Sequence, residues 1–175
     1  MGVTSNPQLA DTNALVSTLV EQIDALLLQN QRQQPLVVGI HTGGVWLAQT
    51  IATHLQAPLG QLDIAFYRDD FTQHGLHPQV SPSSLPFDIN DRHLILVDDI
   101  IRSGRTIRAA LNELFDFGRP ASVTLATLCS VNQRQLPIQA DACALTLDLA
   151  EGQYLQLTGP TPLTLSIIEN RESQS

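Results

Sequence analysis

Apolar residues recur along the chain with two spacings, one typical of helices and one typical of buried strands. Over residues 8–29 they recur at three- and four-residue intervals, which predicts an amphipathic helix with Asn6-Pro7 as its cap and first turn. Continuous apolar runs at residues 36–40 and 94–97 predict short strands that are covered on both faces of a parallel sheet. Each run leads through a turn into another helical pattern, so a strand-turn-helix unit occurs twice. This succession is typical of an α/β fold.

The second half of the chain continues with one helix and several strands. The spacing predicts a helix over residues 105–117 with one apolar side, formed by Ile107, Ala110, Leu111, Leu114 and Phe115. Alternating or apolar runs predict strands at residues 59–67, 122–128, 143–145, 154–157 and 163–168. Residues 68–87 show no periodicity and contain Pro78, Pro82 and Pro86. A segment of this length inside a compact domain indicates either a lid or a wrong assignment of elements.

Composition limits the class of protein. A chain of 175 residues with 43% hydrophobic and 15% charged residues is expected to form one globular domain. It contains no apolar run of about eighteen residues, so we expect no membrane span. The first ten residues lack the features of a signal peptide, which favours a cytoplasmic protein. Cys129 and Cys143 lie in apolar contexts without metal-ligand spacing, which predicts buried free thiols.

Charge narrows the possible chemistry further. The net charge is −8, and all nine basic residues are arginine. An acidic chain repels polyphosphate unless its arginines are clustered, which weighs against broad nucleic-acid binding. The absence of lysine excludes Schiff-base chemistry and a phosphate-binding loop built around lysine.

The candidate chemistry lies directly after the apolar run at residues 94–97. Asp98 and Asp99 stand at the carboxyl end of this predicted strand, where open α/β sheets bind ligands. A turn of small residues at 103–106 then opens the helix, so its backbone amides and the hydroxyls of Ser103 and Thr106 can bind a phosphate. Acceptors for ribose hydroxyls therefore precede donors for a 5-phosphate. The alternative is a structural strand end at which Ser103 merely caps the helix.

The run Val97-Asp98-Asp99-Ile100-Ile101-Arg102-Ser103-Gly104-Arg105-Thr106 resembles the phosphoribosyl pyrophosphate (PRPP) signature of type I phosphoribosyltransferases. It is most similar to the PyrR family, pyrimidine-operon attenuators that are also uracil phosphoribosyltransferases. The match continues through residues 107–110, 118–120 and 136–138, and backwards through residues 62–64 and 67–70. The resemblance implies a single type I phosphoribosyltransferase domain over residues 1–175, with a central, mostly parallel sheet flanked by helices. It also implies a lid at about 68–87 and a small C-terminal β hood at about 130–168.

The resemblance also implies roles for individual residues. The first turn would donate backbone N–H groups to the leaving pyrophosphate, and Arg68 would contact the same group. The two aspartates would hold the ribose hydroxyls and touch a Mg²⁺ ion or its water shell. The implied catalytic residues are Asp98, Asp99 and Arg68, with Asp98 and Asp99 also at the metal; the implied substrate-binding residues are Thr42, Gly43, Gly44, Arg102, Ser103, Gly104, Arg105 and Thr106.

Two departures from related sequences guide the choice of substrate and partner. Oxopurine relatives carry an Asp at the position of Arg102, and a cation cannot accept the proton of a purine N7, so uracil is favoured. At residues 130–139 only Arg134 remains of the basic residues that belong to the family's RNA-binding face, and residues 11–31 contain no arginine. This loss argues against messenger-RNA binding of the usual kind.

The resulting hypothesis is an enzyme that converts uracil and PRPP to UMP and pyrophosphate, as a homodimer of the kind the family suggests. One alternative is a nucleotide-sensing regulator of pyrimidine genes that acts through RNA or a protein partner and catalyses poorly. Another is a purine-linked transferase, because fold similarity extends further than function.

Overall fold

The computed structural model describes residues 9–64 and 83–169. The helices are α1 (Thr12–Gln29), α2 (Gly43–Leu55) and α3 (Arg105–Phe117). The strands are β1 (Leu36–Ile40), β2 (Leu59–Leu62), β3 (His93–Ile101), β4 (Ser122–Val131), β5 (Ala142–Leu147), β6 (Gln153–Thr158) and β7 (Thr164–Glu169). None of the helices in these two ranges is long and apolar enough to cross a membrane.

The central sheet has five parallel strands in the order β2-β1-β3-β4-β5. β1 and β3 pair with Val37 opposite Ile95, and β3 pairs with β4 with Leu96 opposite Leu125. Every residue of β1 is buried, as its continuous apolar run predicts for a strand covered on both faces. The predicted central, mostly parallel sheet is confirmed.

Helices cover the sheet on both faces because successive strand residues point in opposite directions. Val37, Ile95 and Val97 belong to an apolar cluster with α1, α2 and the antiparallel β6–β7 pair. Val38 and Leu96 belong to a second cluster with α3. The alternation along β1 and β3 therefore divides the core into two layers.

The first helix begins later than predicted. Its N-cap is Asp11, whose carboxylate accepts a hydrogen bond from the Asn13 backbone N–H at 3.3 Å. This bond satisfies a backbone donor of the first turn, so the helix begins directly after Asp11. The predicted cap at Asn6-Pro7 was wrong, and these two residues lie outside the described ranges. The Thr12 hydroxyl accepts a bond from the Leu165 backbone N–H at 3.0 Å, which attaches the β6–β7 pair to this helix.

Among the predicted strands of the sheet, the C-terminal ends of β2, β3 and β4 differ clearly from the observed ones. β2 ends at Leu62, short of the predicted end at residue 67. β3 was predicted over residues 94–97 and extends to Ile101, because its pairing with β4 continues to Ile101 opposite Ser130. β4 extends to Val131 for the same reason, through its pairing with β5. These strand ends depend on pairing with segments far away in the chain. The periodicity within one segment carries no information about that pairing.

The C-terminal half also differs in two details. β5 pairs in parallel with β4 and is part of the central sheet, so within the predicted hood region β6 and β7 form the separate antiparallel pair. Phe115 was predicted on the apolar side of α3 but is 53% exposed, whereas Ala109 is buried. The buried side of α3 follows the 107-110-114 row, and residue 115 lies about 100° around the helix from residue 114.

The predicted lid is described only at its C-terminal end. Gln61 and Ser84 exchange two backbone hydrogen bonds of 2.8 Å, so residue 84 is attached to the edge of β2. Ile89, a few residues later, is fully packed in the core. Residues 68–82 lie outside the described ranges, and the lid stays a prediction.

The two cysteines differ in environment. Cys129 is buried in β4 as predicted, whereas Cys143 is only half-buried. Burial, with smaller contributions from Cys143 and Asp99, raises the pKa of the Cys129 thiol from 9.0 to about 12. A buried thiolate lacks the hydration that stabilises its charge, so the thiol stays neutral in the folded chain.

This raised pKa predicts a loss of stability in alkali. The unfolded chain ionises Cys129 near its ordinary pKa, so the stabilisation is complete below about pH 9 and is lost as the pH rises towards 12. Between about pH 8 and about pH 10.5, the unfolding free energy of the wild type should fall by about 1–2 kcal/mol more than that of Cys129→Ala. Urea denaturation at both pH values measures the difference, and an equal fall in the two proteins would contradict it.

Candidate active site

The candidate residues converge at the carboxyl edge of the central sheet. β1 and β3 are parallel neighbours, so the segments that follow them emerge side by side. The start of α2 lies directly against β3: a Cβ built on Gly44 would meet the Val97 carbonyl oxygen and the Asp98 Cα. The turn after β1 and the aspartates of β3 therefore form one continuous surface.

Asp98 and Asp99 were predicted at the carboxyl end of the strand and lie within β3, which continues to Ile101. Asp98 is 2% exposed, and its Oδ1 accepts a hydrogen bond of 2.9 Å from the Asp99 backbone N–H. Asp99 is half-buried, and its Oδ1 accepts a bond of 2.8 Å from the Ile100 backbone N–H. Main-chain donors thus hold both carboxylates in defined orientations at the sheet edge.

Glycine at residues 43 and 44 permits this close approach. A Cβ on Gly43 would overlap the carboxylate of Asp99, so Asp99 occupies the space that a side chain at residue 43 would take. Thr42 is exposed and is the N-cap of α2, and the peptide between His41 and Thr42 is cis. The amino end of α2, with its N–H groups, therefore lies beside the Asp99 carboxylate.

The turn after β3 leads into α3 and borders a small cavity. Gly104 has a φ of +94°, a conformation that favours glycine, and it is the N-cap of α3. The Ser103 Oγ accepts a bond of 3.2 Å from the Arg105 backbone N–H. A cavity of about 50 Å³ opens on this turn, against roughly 10–15 Å³ for one water, so it has room for a phosphate group. Its lining consists of Asp98, Ile100, Ile101, Arg102, Ser103, Gly104, Thr106 and Ile107.

Arg102 connects this turn to the antiparallel pair. Its guanidinium lies over the ring of Tyr154, on β6, with 4.8 Å between the guanidinium carbon and the ring centroid. A cation at this distance from an aromatic face is attracted by the ring quadrupole. Arg102 thus lines the cavity and also contacts β6.

Sequence reasoning missed the segment that packs on the outside of the turn. The guanidinium of Arg134 donates to the Arg102 carbonyl oxygen and, at 2.9 Å, to the Ser130 Oγ. The backbone N–H groups of Gln135 and Leu136 both donate to the Ser103 carbonyl oxygen, at 3.0 and 3.1 Å. The match of residues 136–138 to the family was the available signal, but the basic pattern nearby was interpreted as part of an RNA-binding surface.

The structure therefore brings most of the predicted residues to one edge. Both aspartates, the 42–44 turn and the 103–106 turn adjoin one another, whereas Arg68 lies outside the described residues. The Arg105 side chain points to the Gln135 amide oxygen, which accepts from Nε at 2.9 Å.

The acidic groups determine what metal the site can accept. Within residues 9–64 and 83–169, no three His, Cys, Asp or Glu side chains form a group able to enclose a metal ion. Mg²⁺ usually takes only one or two carboxylates and completes its shell with water and substrate oxygens. The Asp98-Asp99 pair fits such partial coordination, and it does not fit a metal enclosed by protein ligands alone.

Comparison with known proteins agrees with this geometry. The family described as phosphoribosyl transferase domain matches residues 6–153 of the chain. "Bifunctional protein PyrR" of Pseudomonas aeruginosa strain LESB58 is 55% identical over 153 residues, covering 86% of this chain and 90% of that one. The protein of the same name from Nitrosococcus oceani is 52% identical over 165 residues, covering 92% and 93%. A solved hypoxanthine-guanine phosphoribosyltransferase from Bacillus anthracis is 15% identical, covers 84% of each chain and superposes with a TM-score of 0.62, which shows a common fold.

Proposed function

Because the chain belongs to the PyrR family of phosphoribosyltransferases, we propose that it transfers the phosphoribosyl group of PRPP to uracil, giving UMP and pyrophosphate. The observation that carries the proposal is that Asp98 lines the same cavity as Ser103, Gly104 and Thr106. An acceptor for ribose hydroxyls and candidate donors for a phosphate thus line one cavity. The roles of the individual residues are proposed together with this reaction.

Phosphoribosyl transfer needs placement more than covalent chemistry. The bond between ribose C1 and the pyrophosphate oxygen breaks, the bond between C1 and uracil N1 forms, and the N1 proton is released. Positive charge develops on the ribose as the bond breaks, so the buried Asp98 and its neighbour Asp99 stabilise it while they hold the O2 and O3 hydroxyls. The 103–106 turn holds the 5-phosphate at the positive end of α3.

The leaving group is bound on the other side of the aspartates. The first N–H groups of α2, at residues 42–44, have no partners within the helix and can donate to pyrophosphate oxygens. Asp98 and Asp99 would also hold Mg²⁺, which neutralises the charge of the pyrophosphate when bound. Arg68, outside the described residues, is a further proposed contact to the pyrophosphate.

The choice of base follows from the residue at position 102. Arg102 is directed to Tyr154 and offers hydrogen-bond donors only, so no carboxylate stands at this position to accept the proton of a purine N7. Uracil reacts through N1, whose proton is relatively acidic and can leave with weak assistance. Its two carbonyl oxygens are acceptors that an arginine can satisfy.

Purified protein should convert uracil to UMP in the presence of PRPP and Mg²⁺, with no measurable product from guanine or hypoxanthine. Chromatographic detection of nucleotide products from the three bases in parallel measures this, with a chelated reaction as the control for Mg²⁺ dependence. Turnover of hypoxanthine at a rate comparable to uracil would contradict the assignment of the base.

A second candidate function is regulation of pyrimidine genes through nucleotide binding with weak catalysis. Gly43 favours it, because the family typically carries arginine there and the Cβ of any such residue would overlap Asp99. A filter-binding titration with pyrimidine leader RNA beside the uracil assay separates the two functions. The cytoplasmic location and the homodimer belong to the same proposal.

A further inference from the structure

We infer that Arg134 and the backbone of residues 135 and 136 form a clamp that positions the 5-phosphate turn for PRPP, rather than a remnant of an RNA-binding surface. The inference rests on the proposed function, because it assigns the phosphate of PRPP to that turn. Arg134 is a positioning residue in this account. It acts on the substrate through the main chain of residues 102–104.

The clamp holds two successive carbonyl groups of the turn. Arg134 donates to the carbonyl of Arg102 and is itself oriented by the Ser130 hydroxyl. The Ser103 carbonyl accepts two backbone N–H bonds, at 3.0 and 3.1 Å. The side of Gly104 facing this segment is also packed, since a Cβ there would lie 3.4–3.6 Å from atoms of Ile138, Leu136 and Arg134.

Fixing the direction of these carbonyl groups also fixes the direction of the N–H groups in the same peptide units. In a planar trans peptide the C=O and the following N–H point in opposite directions. Holding the carbonyls of residues 102 and 103 towards the clamp therefore turns the N–H groups of Ser103 and Gly104 away from it. The cavity is lined by Ser103, Gly104 and Thr106 and not by the clamp residues, so these N–H groups face the cavity side. Successive N–H groups with one direction form an anion-binding concavity.

The charge of Arg134 supports the same role. Both hydrogen bonds that its guanidinium makes within the described residues go to neutral oxygens, one carbonyl and one hydroxyl. No carboxylate among residues 9–64 and 83–169 is in direct contact with its positive charge, which lies behind a turn proposed to hold a dianion. Arginine suits this position because two different guanidinium nitrogens, Nη1 and Nη2, each donate to one acceptor from a fixed planar group. The three donors of lysine share one nitrogen and cannot keep this separation.

The test compares Arg134→Gln and Arg134→Lys with Arg119→Gln. Arg119 is exposed and follows the carboxyl end of α3, the end opposite the 103–106 turn. We expect the KM for PRPP to rise at least about fivefold in Arg134→Gln, with the KM for uracil unchanged, since a charge-assisted hydrogen bond is lost. In Arg134→Lys the logarithm of the KM for PRPP should rise by more than half as much as it does in Arg134→Gln. Arg119→Gln should match the wild type. Calorimetric titration with ribose 5-phosphate, which carries the phosphate without pyrophosphate, should show the same loss of affinity.

The outcomes separate this inference from the proposed function. If the wild type does not form UMP but Arg134→Gln still weakens ribose 5-phosphate binding, the proposed reaction fails and the clamp stands. An unchanged KM for PRPP and unchanged ribose 5-phosphate affinity in both Arg134 variants would overturn the clamp. Loss of leader-RNA binding in Arg134→Gln with PRPP kinetics intact would likewise overturn it. Should Arg134→Gln fail to fold, the PRPP and uracil KM values of Arg134→Lys decide the matter alone.

Discussion

Replacing Asp99 by asparagine is expected to lower kcat/KM for UMP formation at least about tenfold and to leave the melting temperature nearly unchanged. Asparagine has the same shape, and its amide oxygen can still accept the 2.8 Å bond from the Ile100 backbone N–H. What it loses is the negative charge that we propose acts on the ribose hydroxyls and Mg²⁺. Initial rates at varied PRPP, together with a thermal melt, measure both effects.

Asp116→Asn is the matched control for this variant. Asp116 is exposed on α3, so the same change of charge there should leave both activity and melting temperature as in the wild type. If Asp99→Asn instead unfolds several degrees below the wild type with its activity intact, the aspartate pair has the structural role of a strand end.

Replacing Gly44 by alanine is expected to lower the free energy of unfolding by about 2 kcal/mol or more. The new methyl group would overlap the Val97 carbonyl oxygen and approach the Asp98 Cα at 3.0 Å. Both neighbours belong to the backbone of the central strand β3, which is paired on each side and cannot move aside alone. Urea denaturation of the purified variant measures the loss.

Gly43→Ala provides the informative comparison on the adjacent residue. Its methyl group would overlap the Asp99 carboxylate and lie 3.0 Å from the Asp99 Cβ, so the overlap is with a side chain and not with backbone. The carboxylate can turn away if it gives up its bond from the Ile100 backbone N–H. We therefore expect Gly43→Ala to lose UMP formation with little loss of stability, whereas the main effect of Gly44→Ala is on stability. Gln49→Ala, exposed on the same helix, should change neither quantity. Equal stability of Gly44→Ala and the wild type would show that α2 and β3 are less closely packed than the structure indicates.

Local patterns were sufficient for several elements of the fold. β1 and α3 have the bounds that their hydrophobic spacing predicts, since both combine a regular pattern with clear breaking residues at their ends. The early end of β2 and the late end of β3 were not predictable in this way. These ends follow from pairing with neighbouring strands, and the residues that pair are far apart along the chain.

In the candidate site, too, some features were identified from the sequence and others only from the structure. The two aspartates and the 103–106 turn were identified from sequence because they lie within one short segment. The spacing of such a motif can be read directly from the sequence. The contact between Gly43 and Asp99 was not visible, because it depends on how closely α2 approaches β3. Arg134 was assigned to an RNA surface, since its sequence neighbours suggested only a basic face that had lost most of its charge.

Taken by itself, the amino-acid order determined the α/β class, the family and the groups available for chemistry, because each is encoded in short runs of adjacent residues. Tertiary structure alone decided that the carbonyl groups of residues 102 and 103 accept hydrogen bonds from residues 134–136. The physical reason is that hydrogen bonds and steric contacts depend on distances in space, and folding brings residues 43 and 99, and residues 102 and 134, into contact across long stretches of chain.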